Sequence, residues 1–94
     1  MKILTKSITA DAQVVAGECY VVGAELNDVI GSAYLELFDE DTSTQTAAQL
    51  FVILRASAAC QSVNIMFPMP GLKCSGVYAD IDGTDAAGTL FYYY

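Results

Sequence analysis

The sequence predicts an all-β domain: an antiparallel β-sandwich, jelly-roll-like, of about seven or eight strands. Three observations lead there. Short apolar runs recur at roughly 10–12-residue spacing, each closed by a polar or glycine-containing turn. Within the runs, apolar residues alternate with a period of two, as in Ala33, Leu35 and Leu37 against Tyr34, Glu36 and Phe38. The chain also stops on an aromatic run, Phe91, Tyr92, Tyr93 and Tyr94, of the residue types that strands favour.

Taken in order, residues 2–8 alternate crudely and read as a first strand, and residues 10–13 as a loop. Residues 17–26 form a second strand. Its alternation puts Cys19, Val21 and Gly23 on one face and Tyr20, Val22 and Ala24 on the other. Asn27, Asp28 and Gly31 signal turns. Residues 32–38 are the third strand, and Glu36 marks one of its faces as wet. Residues 39–46 hold eight positions without an apolar side chain, which predicts a solvent-exposed loop. Residues 47–55 mix helix formers with Phe51, Val52 and Ile53, and the all-β setting favours a fourth strand. Residues 56–59 connect it to a fifth, 60–67, which ends at Pro68 and Pro70 because proline cannot donate to a ladder. Residues 71–82 read as one long sixth strand interrupted at Gly76 by a bulge or bend. A turn at Asp82, Gly83 and Thr84 leads to the seventh, 89–94. The expected core is Leu35, Leu37, Val52, Leu54, Val63, Ile65, Val77, Ala79 and Leu90. With no repeat and no linker, residues 1–94 are expected to be a single domain.

Composition narrows the function classes. Apolar residues make up 54% of the chain and charged residues 16%, a high apolar share that points to buried interfaces as well as a core. The net charge is −7, and the strong cations are Lys2, Lys6, Arg55 and Lys73. A phosphate-binding groove needs clustered Lys or Arg, so nucleic-acid binding is not expected. No apolar run approaches the roughly 18 residues of a membrane helix, so no membrane association is expected. The first residues lack the apolar core of a signal peptide. Three cysteines without CxxC spacing predict neither a disulfide framework nor a zinc cluster. Cys19, Cys60 and Cys74 are each expected as small buried residues within strands, and one cross-strand pair stays open.

Candidate chemistry is thin. Without histidine the chain lacks the usual general base and the commonest metal ligand. Asp39, Glu40 and Asp41 are adjacent, so on an extended chain they point apart rather than converge on one bond. Asp80, Asp82 and Asp85 have some look of a calcium loop but lack its residue order, and they read better as a strand end and turn. No catalytic, cofactor or metal site is expected, and the chain is not expected to be an enzyme. Phe91, Tyr92, Tyr93 and Tyr94 are expected at a subunit interface, on a terminal strand offering an unpaired edge, with one alternating pair in the core and the other at the surface. A homo-oligomer, a trimer first, is the expected assembly.

Residues 34–39 (Tyr-Leu-Glu-Leu-Phe-Asp), the Thr/Ser-rich loop, residues 61–68 (Gln-Ser-Val-Asn-Ile-Met-Phe-Pro), Gly71-Leu72, residues 76–84 and the aromatic end together resemble a group of small tailed-phage virion proteins. The resemblance spans roughly the last two thirds of the chain, and its motifs are turn and core residues. It implies a β-sandwich acting as a capsid decoration (cement) protein or head-fibre component, often trimeric. The expected partner is a major capsid protein and the expected location the outer capsid surface of a virion, after synthesis in the host cytoplasm. The alternative is a tail- or fibre-associated module that binds a host-surface glycan through tyrosines and the loop at 39–46.

Overall fold

The computed structural model describes residues 2–27, 31–42, 47–57 and 59–94. Nine strands are present among them: β1 (Leu4–Ile8), β2 (Ala12–Val15), β3 (Cys19–Asn27), β4 (Ala33–Phe38), β5 (Leu50–Ala56), β6 (Ser62–Met66), β7 (Leu72–Cys74), β8 (Val77–Asp82) and β9 (Ala87–Tyr93). A single 3₁₀ turn, Ala47–Gln49, precedes β5.

The pairing has a simple logic. Setting β7 aside, the first strand pairs with the last, the second with the next to last, the third with β6 and the fourth with β5. The chain is thus one long antiparallel hairpin rolled upon itself. Two further pairings, β3 with β9 and β4 with β8, fuse the roll into two sheets. The first runs β1-β9-β3-β6, with β7 also on β3; the second runs β2-β8-β4-β5. This order is the double-sheet jelly roll.

One core fills the space between the sheets. Leu35, Leu37, Val77, Ala79 and Leu90 are fully buried, as alternation predicts, and Val52 and Leu54 are nearly so. Ile8, Val15, Val21, Ala24, Leu26 and Tyr92 join them. Val63 and Ile65 are only half-buried against this cluster, because β6 lies at the margin of its sheet.

The structure corrects several readings. Of the expected loop at residues 10–13, Ala12 and Gln13 instead open the strand β2. Residues 71–82 are two strands in different sheets, β7 on β3 and β8 between β2 and β4. Gly76 lies between them, where only glycine fits: a β-carbon there would sit 2.7 Å from the Asp41 α-carbon and from the Glu40 carbonyl oxygen. In β3 the inward face switches at Val22, where the register against β9 slips and one residue is left over. Cys19 and Val21 point inward before this bulge, and Ala24 and Leu26 after it, so strict alternation assigns Ala24 to the wrong face. Cys60 is exposed, lying before β6 in an isolated bridge to Ser57.

The acidic segment is partly built into the fold. The Asp39 backbone N–H donates to Gln49 O at 2.8 Å, and Asp39 Oδ1 accepts from the Ser75 N–H at 2.6 Å. The Gln13 Nε2 donates to the carbonyls of Val15, Glu40 and Val77. Asp39 and Glu40 are half-buried, and exposure begins at Asp41. The remainder of this expected loop, residues 43–46, lies outside the described residues.

Candidate interaction surface

The terminal strand does not lie at an edge. β9 is hydrogen-bonded to β1 on one side and β3 on the other. The expected unpaired aromatic edge is therefore absent, and the four terminal aromatics divide by the pleat. Tyr92 points inward and is 8% exposed. Tyr94 follows the strand, is 71% exposed, and meets Tyr92 edge-on with ring centroids 5.6 Å apart. Phe91 and Tyr93 alternate with the inward Leu90 and Tyr92, so they lie on the outer face of the first sheet.

Register shows what they meet there. Across β1, β9, β3 and β6 one row reads Thr5, Phe91, Gly23, Met66. Across β9, β3 and β7 the next reads Tyr93, Tyr20, Lys73. Tyr20 and Tyr93 stack, with centroids 5.0 Å apart and planes within 14°. The Tyr93 hydroxyl donates to the Pro70 carbonyl at 2.5 Å, which ties the row to the segment joining β6 and β7. Gly23 has no side chain, and Met66 lies in the space that one would fill. The joining segment adds Met69, whereas Leu72 after it pairs with the inward Val21 and shares the face of Cys74. Met66 and Met69 are 61% and 54% exposed, more than large apolar side chains usually are in a well-covered sheet.

The result is an apolar and aromatic patch of Tyr20, Phe91, Tyr93, Met66 and Met69. The sequence reading found two of these, Phe91 and Tyr93. Tyr20 and Met66 join them through register, whereas Met69 carries a signal of its own in the sequence. Residues 66–72 combine Met, Phe and Leu with two prolines and a glycine, so they cannot run as a regular strand that buries its apolar side chains.

The outer face of the second sheet has the opposite character. Tyr34 lies opposite Arg55 and Asp82, and Glu36 opposite Ile53 and Asp80. The negative charge of Asp80, then partial burial, then Asp82, Glu36 and Asp11 push the Tyr34 hydroxyl above its ordinary range. Asp11 Oδ1 also accepts the Ile81 backbone N–H at 2.9 Å, closing the end of β8. Asp82 and Gly83 form a turn in which Asp85 takes a left-handed conformation, φ 58°. Aspartate tolerates that conformation better than most residues, which accounts for the Asp-rich string as turn chemistry.

Among the described residues, Cys, Asp and Glu side chains do not gather in threes in a way that would hold a metal ion. One open depression of about 150 Å³ lies between β1 and β2, lined by Lys6, Ile8, Ala12 and Val14 among others. Pockets for small-molecule ligands are usually about 300–1,000 Å³. No helix among the described residues is long and apolar enough to cross a membrane. Compared with known protein families, curated proteins and solved structures, the chain matches none.

Proposed function

We propose that this chain is a structural virion protein, a capsid decoration protein that seats its aromatic face on major capsid subunits and bridges neighbours. The observation that carries this reading is the patch of Tyr20, Phe91, Tyr93, Met66 and the neighbouring Met69 at the first sheet's outer face, opposite an acidic face on the second. A two-faced plate of this kind suits attachment to a shell: the apolar face docks and the charged face stays in water. The jelly roll and the resemblance to phage virion proteins support the same reading by analogy. Copies assemble as homotrimers on the outer capsid surface, and many identical contacts around a closed shell add through multivalency.

The test compares particles carrying the wild-type chain, the Tyr93→Ser chain and none. Under this reading, particles without the chain assemble but release DNA at lower temperature. Tyr93→Ser lowers occupancy on the shell, and high salt does not, because an apolar contact is not screened. Unchanged particle stability with lost adsorption to host cells would replace this role with glycan binding at the stacked Tyr20 and Tyr93 rings.

A further inference from the structure

Two of the three cysteines face one another. Cys19 opens β3, Cys74 closes β7, and the antiparallel register pairs them directly. Both are buried, at 1% and 2% exposure, so both side chains point to the same inner face. Directly opposed residues in an antiparallel pair have α-carbons about 4.5–5.5 Å apart. A disulfide needs about 4.4–6.8 Å between α-carbons. The backbone separation is therefore already suitable, and only a modest approach of the β-carbons is required. β7 can supply it: the strand has three residues and its only strand partner among the described residues is β3.

We propose that Cys19 and Cys74 are a modification site that closes to a cross-strand disulfide when a low-molecular-weight disulfide is the oxidant. One cysteine loses its proton to solvent, its thiolate attacks a sulfur of oxidised glutathione, and one glutathione thiolate leaves and takes up a proton. The second cysteine loses its proton to solvent and attacks the protein sulfur of the mixed disulfide. The second glutathione thiolate departs and takes up a proton. Two protein thiols are oxidised, and one glutathione disulfide is reduced to two thiols. The bridge fastens β7 to β3 and with it the end of the preceding segment, whose Pro70 carbonyl accepts from the Tyr93 hydroxyl in the apolar patch. Burial keeps both thiols protonated, so exchange in the folded chain is slow and the bridge closes chiefly while the chain folds or opens. The inference stands on register and burial and does not depend on the proposed virion role.

The test uses the full chain, brought to equilibrium in a mixture of reduced and oxidised glutathione with enough urea to allow repeated unfolding, then returned to native buffer. The product is denatured, alkylated with iodoacetamide, digested and weighed. The expected result is the loss of two of the three alkylatable thiols and a peptide linked through Cys19 and Cys74. Cys60→Ser should leave that linked peptide in place, and the oxidised Cys60→Ser chain should melt at a higher temperature than its reduced form. The inference is overturned if Cys19 and Cys74 stay alkylatable, if each carries glutathione separately, or if the bridge involves Cys60.

Discussion

Met66 lies across Gly23 on the outer face of the five-stranded sheet, where β6 pairs with β3. A β-carbon at residue 23 would meet the Met66 side chain and come within 2.7 Å of the Ile65 carbonyl oxygen. The methionine can swing away, but the carbonyl belongs to the ladder and cannot. Gly23→Ala should therefore cost about 1–3 kcal/mol, the usual range for overpacking. Met66→Ala should stay within about 0.5 kcal/mol, as exposed positions do. Urea denaturation of the two variants checks the contrast, and adding Met66→Ala should not rescue Gly23→Ala.

The interior place of β9 changes what truncation should do. Removing residues 91–94 takes away the buried Tyr92 and the pairings of Leu4 and Thr5 on β1 and of Val21 and Gly23 on β3. The expected outcome is loss of the fold, read as a vanished cooperative transition by circular dichroism. A truncated chain that stays folded and only changes its assembly would put the terminal residues at an interface instead.

Gln13 should act as a clasp. Its Nε2 donates at 2.8 Å to Val15 O, 2.9 Å to Glu40 O and 3.2 Å to Val77 O, which fixes which way the amide points. Gln13→Leu removes these donors and should cost about 1–3 kcal/mol. The segment at Glu40 and Asp41 should then exchange its amide protons faster. Unaltered exchange there would show that the clasp holds nothing.

Stability should fall in alkali. Burial, then Asp39, then Cys19 push the Cys74 thiol up to about 12, and burial and Asp39 raise Cys19 as well. A thiol in the unfolded chain ionises near pH 8.5. The folded chain thus holds protons that the unfolded chain has released. The stabilising effect is full below about pH 8.5 and is lost progressively as the pH rises toward about 12, at most about 1.4 kcal/mol for each pH unit per group. Melting temperatures of the reduced chain measured from pH 7 to 11 should show this decline. Cys74→Ala, though less stable at neutral pH, should show a shallower one.

The division between sequence and structure follows from the range of the forces involved. Alternation of Leu35 with Glu36, or of Leu90 with Phe91, is a local property, since successive side chains on any strand point to opposite faces. The strand class, most of the core and the division of the four aromatics between two faces were therefore legible in the residues themselves, while the structure decides that Phe91 and Tyr93 are the outward pair. Partners were not. Whether β9 ends a sheet or lies within one depends on β1, more than eighty residues earlier in the chain. The inward turn of Ala24 depends on a bulge at Val22, which arises from pairing and leaves no mark in alternation. That the chain changes sheets at Gly76, where Glu40 and Asp41 leave no room for a side chain, depends on segments distant in sequence. The apolar patch was half visible for the same reason: Phe91 and Tyr93 share a face by their own strand's alternation, whereas Tyr20 and Met66 join them only through register. Cys19 and Cys74, fifty-five positions apart, are neighbours solely because the rolled hairpin lays β7 against the start of β3.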